Sequence, residues 1–269
     1  MAMNYNGEVQ CLEIDNESSV VPSEEIVYLG DIFNMWGNND GLIDDRLKRG
    51  SKAIITIAAL MAETDVGIHF VSTMLLLYRS LFLSTMLFNC QTWSKIRLKH
   101  IDKLRRMQLR FLKRTVGVGQ YTTNSFIFLE LGVLPIDFEI HRRQLMFLYR
   151  ILKLDASDPV YKCFQSMRAN DMAGEENWWS GIKVALEKYN IPTNLEEIKS
   201  FGKNAFRNLV NKSVTKVAFD NLVSECASHK KTAHLEYKSL QVQEYLLKLF
   251  PHQARTIIKC RSETVDVKS

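Results

Sequence analysis

From residue 40 onward the apolar residues return at helical intervals, and few residues stand ready to interrupt them. Leu42, Ile43, Leu47, Ile54, Ile57, Ala58 and Met61 keep to one side of a 3.6-residue period, which predicts a first helix capped by Asn39 or Asp40. Only 12 Gly and 5 Pro occur in 269 residues, so long elements are favoured over tight turns. The same reading predicts helices over 67–93 and 95–116, the latter stopped by Gly117-Val118-Gly119. Further helices follow over 122–131, ended by Gly132, and over 135–154, opened by Pro135. Asp158-Pro159 starts another. After a lapse at 169–174, helices are expected near 177–189, 203–228 and 241–250, with Pro192 and Pro251 as breaks.

The front of the chain reads differently. Residues 8–14 and 26–33 alternate polar and apolar around the turn-rich run 15–19, which predicts two short antiparallel strands. Two strands alone are marginal in water, so they read as the edge of a sheet. The fold class is therefore mainly α, a multi-helix bundle behind a short β-hairpin. We divide it as hairpin 1–36, helical domain 37–170 and C-terminal helical region 171–269.

Charge narrows the function. Residues 1–27 hold six acids and no Lys or Arg, so a net +5 overall leaves the remaining chain at +11. Such an excess suits a polyanion. The five cysteines (Cys11, Cys90, Cys163, Cys226, Cys260) form no C-x-x-C pair, which fits reduced thiols and an intracellular setting, cytoplasmic or nuclear. No basic leader precedes an apolar run, so no signal peptide is expected. The most hydrophobic stretch, 66–88, is interrupted by His69 and Arg79. A central Arg costs about 2.5–3.5 kcal/mol in a bilayer, so a buried helix and no membrane partner are expected.

The 95–116 helix carries the clearest pattern. Lys95, Lys99, Lys103, Arg106, Arg110 and Lys113 fall within an arc of about 80°, opposite Ile101, Leu104, Leu112 and Val116. One face packs while the other presents cations that can hold a phosphate backbone without reading sequence. A solvated surface helix is the plain alternative. Arg142 and Arg143, with Arg150 and Lys153, repeat the arrangement more weakly on the next long helix. Asp44-Asp45 suits a helix first turn better than a metal pair, because adjacent helical residues diverge by about 100°. Cys226, His229 and His234 lack the second tight pair of a zinc site. Trp178-Trp179 reads as structural. No phosphate-loop, zincin or nucleophile-elbow motif occurs, so neither a catalytic residue nor a cofactor is indicated.

Four stretches, in order, resemble the reverse transcriptases of non-LTR retrotransposons. Tyr28-Leu29-Gly30 followed by Gly41-Leu42-Ile43-Asp44-Asp45-Arg46-Leu47 is similar to their palm-to-thumb passage. Leu77 to Trp93, closing in Phe88-Asn89-Cys90-Gln91-Thr92-Trp93, resembles a helix that ends there in Tyr-Gly-x-Glu-Thr-Trp. Leu129-Glu130-Leu131-Gly132-Val133-Leu134-Pro135-Ile136 with Arg142-Arg143-Gln144-Leu145 resembles a third motif, and Ala254 to Lys268 the segment before their zinc knuckle. Asn89, Gln91 and Phe88 depart from the usual Gly, Glu and Tyr.

The likeness implies a thumb-like helical body behind the last palm strands. The family's catalytic aspartates lie upstream of the Tyr-Leu-Gly strand and its zinc knuckle beyond the Ala254 segment. A non-catalytic fragment is therefore expected, whose partner would be the backbone of an RNA or an RNA–DNA duplex. The competing expectation is a helical module that docks a protein through the apolar surface around residues 28–36.

Overall fold

The computed structural model describes residues 12–15, 18–20, 25–28, 30–34, 39–94 and 96–262. Strand β1 (Leu12–Asp15) pairs antiparallel with β2 (Ser18–Val20), and β3 (Glu25–Tyr28) with β4 (Asp31–Asn34). The fold is mainly α with a small antiparallel hairpin in front, as the periodicity predicts. One detail differs. The described part of the 8–14 strand does not pair with 26–33; each strand pairs with its chain neighbour. Gly30 explains this: at φ +84 it turns the chain between Tyr28 and Asp31, so 26–33 is itself a hairpin.

Behind the hairpins comes α1 (Asp40–Ala62). The expected single helix over 67–93 is instead assembled in pieces. A 3-10 turn (Gly67–His69) leads into α2 (Phe70–Leu77), a π-turn (Tyr78–Phe82) and α3 (Leu83–Met86). The π-turn sets Tyr78 and Phe82 side by side at 5.5 Å, and both reach Phe111, whose ring lies 5.1 Å from that of Phe82. Asn89 then takes the left-handed conformation at φ +55, ending the helix ahead of a 3-10 turn at Cys90–Thr92. The stretch Gly67–Met86 is long and apolar enough to cross a membrane by length and composition, and a third of its most apolar window is buried.

The glycine stops fall where expected. Helix α4 (Leu98–Val116) ends at Gly117 and α5 (Asn124–Leu131) at Gly132, both left-handed. Then come α6 (Ile136–Leu152), α7 (Pro159–Met172), α8 (Trp178–Lys188) and α10 (Lys203–Ser228), with a short α9 (Leu195–Ser200) between the last two. Near the end, α11 (Glu244–Lys248) is shorter than predicted. Pro251 opens α12 (Pro251–Arg261) instead of only breaking the chain.

Two apolar clusters hold these elements. The first gathers α1 to α5, the start of α6, and Leu222, Cys226, Leu246, Ala254 and Ile258 from the C-terminal helices. The second joins the rest of α6 to Phe164, Trp178, Trp179, Ile182 and the Phe206–Ala218 stripe of α10. Both tryptophans are buried and meet Phe164 edge-on. Helices α6 and α10 serve both cores, and the chain after α10 returns to the first. It seats its backbone on Gly132, where an added Cβ would lie 2.4 Å from the Val242 nitrogen. Gly132 also has φ +58, so a side chain there meets both a strained backbone and an occupied space.

Candidate nucleic-acid interface

Helix α4 is the element with the strongest sequence signal, and its cations have several fates. Leu104, Leu109, Phe111, Leu112 and Val116 bury one face. On the other, Lys99 pairs with Asp40 at 2.6 Å and Lys103 with Asp44 at 2.7 Å, fastening α4 to the first turns of α1. Buried His100 meets the same Asp40 at 2.7 Å. Hydrogen bonds from Lys99 and His100 hold the Asp40 carboxyl down to about 2. Lys113 donates to the carbonyls of Gln120 and Thr122 at 2.6 Å each, and its partial burial pulls its pKa below the usual lysine value.

Arg106 is exposed and, among the described residues, bonds only the carbonyl of Asp102 in its own helix, at 3.2 Å. Arg110 is exposed without an ion pair among the described residues. Lys95 lies outside the described residues. The six-cation row thus offers two unclaimed arginines and two lysines in half-exposed ion pairs, a type worth about 0–1 kcal/mol and open to exchange. Asp45 turns away from Asp44 to Arg49, at 2.7 Å, as their helical divergence requires.

The arginines of α6 meet a denser arrangement. Arg142, Arg143 and Arg150 lie on one side of the helix, and Arg207 of α10 faces them across a cavity of about 380 Å³. Met146 and Phe147 supply its apolar wall, and Gln91 and Asn211 its amides. The stripe Phe206, Val210, Val214 and Ala218 packs α10 onto α6, and that packing carries Arg207 to the site.

A rigid frame surrounds the cavity. Gln144 donates to the Trp93 carbonyl at 2.8 Å, and the Trp178 indole to the Gln91 carbonyl at 2.8 Å. Buried Glu139 accepts from Arg142 at 2.6 Å and from Arg143 at 3.4 Å, while Arg143 also reaches the Leu87 carbonyl at 3.2 Å. These contacts leave part of each guanidinium fork unused. Arg150 and Arg207 are exposed and have no ion pair among the described residues. Among the described residues, two of the four guanidiniums therefore share one carboxylate and the other two have none. Lys153, grouped with these arginines in the sequence pattern, sits over the Tyr149 ring instead.

Arg207, Gln91 and Asn211 are site residues that the sequence reading missed. The i, i+4 spacing of Arg207 and Asn211 beside the α10 stripe was the available signal. Cys226 is buried in the first core, and no group of three metal-capable side chains is present among the described residues. Comparison of the chain with models of protein families, with curated proteins and with solved structures returned no match.

Proposed function

We propose that this chain is the non-catalytic, thumb-side portion of a retroelement reverse transcriptase, and that it grips the backbone of an RNA or RNA–DNA duplex without reading sequence. The observation that carries the reading is the arginine cavity. Guanidinium forks suit phosphate oxygens, and a single shared carboxylate leaves a strong positive excess there. Arg106 and Arg110 add a second cationic strip on α4.

The resembling stretches also meet in space in pairs. Arg46 of the first pairs with Asp31, which Asn89 of the second also bonds, and Glu130 of the third pairs with Arg261 of the fourth. Such contacts favour reading the four stretches as one structural set.

Fluorescence anisotropy with a labelled RNA–DNA duplex tests the grip. Replacing Arg142, Arg150 and Arg207 together by Ala is expected to weaken binding about thirtyfold or more, given charged hydrogen bonds worth about 1.5 kcal/mol or above. Replacing Lys99 and Lys103 should cost only a few fold, because Asp40 and Asp44 already hold them. The reverse ranking would count against the cavity. Nucleotide incorporation by the purified chain in a primer-extension assay with Mg²⁺ would contradict the non-catalytic part.

A second reading rests on Ile26, Val27 and Tyr28, which β3 leaves exposed. They would dock a protein partner, and association insensitive to salt would favour that role.

A further inference from the structure

The cavity between α6 and α10, which can hold a backbone phosphate, has room for more negative charge than one backbone diester brings to a point. A phosphodiester carries one charge, whereas a phosphomonoester carries about 1.5 to 2 near neutral pH and three strong acceptor oxygens. Four guanidiniums with one shared carboxylate match the second better.

Shape points the same way. On α6, Arg142 and Arg150 stand about two turns apart, and Arg207 closes from the other wall. The four arginines line a concavity of about 380 Å³, roomier than one phosphate needs. A strand end enters such a hollow with a single neighbour, but an internal diester must carry two. Beside the arginines, Phe147 is held edge-on by Trp178 with ring centres 5.8 Å apart, which gives an attached nucleoside a fixed apolar wall. Gln91 supplies amide donors and acceptors at the rim.

We propose that the arginine cavity formed by Arg142, Arg143, Arg150 and Arg207 is a site for a nucleotide phosphomonoester, presented at a strand end or by a free nucleotide. This rests on reading the cavity as a phosphate site. The guanidiniums bind the terminal oxygens, and the Phe147 wall takes the adjoining sugar and base.

The test compares two RNA strands of one sequence, one with a 5′-phosphate and one with a 5′-hydroxyl, on the intact chain by anisotropy. The phosphorylated strand is expected to bind about tenfold tighter, in keeping with doubled charge on a preset cluster of donors. That advantage should vanish in an Arg150→Ala, Arg207→Ala double variant, whose exposed positions leave the cores intact. It should also shrink as pH falls through the monoester's second pKa of about 6, while the arginines stay charged. Adenosine 5′-monophosphate displacing the phosphorylated strand, where adenosine does not, assigns the site to the monoester itself. A strand-end advantage that the mononucleotide does not compete away assigns it to the polynucleotide terminus. Equal binding of both strands by the intact chain overturns this proposal and leaves the general grip standing. Failure to bind either strand also overturns this proposal, whereas the grip falls only if the RNA–DNA duplex is not bound.

Discussion

Glu130→Ala is expected to lower the unfolding free energy by about 3–5 kcal/mol, read as a shift of the urea midpoint. The Glu130 side chain is fully buried, and among the described residues its hydrogen bonds come from the C-terminal segment. Tyr237 and Tyr245 donate to its two oxygens at 2.6 Å each, and Arg261 reaches one of them at 2.9 Å. Burial, and then the carboxylate itself, push both phenols far above the usual tyrosine range, so they remain donors at any working pH. Removing the carboxylate strands two phenols and a guanidinium that is only 30% exposed. Glu130→Gln keeps one acceptor and should lose about half as much. The segment 229–262 would then be cut first in limited proteolysis, because the Leu131–Val242 bridge and the Gln243 bond to the Glu130 carbonyl depend on its seating. A loss below about 1 kcal/mol for Glu130→Ala would show that apolar packing alone holds the segment.

Arg46→Ala should cost a similar amount, about 3–5 kcal/mol, at the other end of the first core. Arg46 is 1% exposed and pairs with Asp31, itself 3% exposed, while donating to the Gly30 carbonyl at 2.9 Å. Its guanidinium lies 5.1 Å from the Phe88 ring centre, and Asn89 bonds the other oxygen of Asp31. Without the arginine, that buried carboxylate keeps only the Asn89 amide among the described residues, and the second hairpin loses this ion pair to α1. One guanidinium nitrogen donates to both acceptors, so Arg46→Lys, whose ammonium has three donors, should recover part of the loss while forfeiting the planar contact with the Phe88 ring. Unfolding midpoints within error of the parent chain for both variants would remove the hub from the account.

Much of the fold is legible because helical period and glycine stops are local. Gly117 and Gly132 end their helices as read, and the stripe of α1 needs no distant information. The pieces that escaped are also physical. Six residues of α9 are too few to display a period, and the π-turn at Tyr78–Phe82 shifts register inside a mostly apolar run without a Gly or Pro to mark it. Asn89 takes a left-handed backbone, a region that Asn tolerates next after Gly, so a single non-glycine residue ends the helix there without a glycine signal in the sequence.

The site was half legible for the same reason. A row of cations on one helix is visible in its spacing, but the acid that claims Lys103 lies 59 residues earlier on α1. Arg207 joins Arg142 only through the packing of α10 on α6, and Glu130 meets Arg261 across 131 residues. Long-range pairing decides which cations stay available, and a single sequence does not display it.

The most direct test of the grip is the salt dependence of duplex binding by the intact chain, between about 50 and 200 mM salt. Each neutralised phosphate contributes about 0.7–0.9 to the log–log slope, so three to five contacts predict a slope of about −2 to −4. The Arg142, Arg150 and Arg207 triple Ala variant should lose about 2 of that slope. A flat plot for the intact chain, or the same slope in the variant, would contradict the assignment of the arginine cavity to a phosphate backbone.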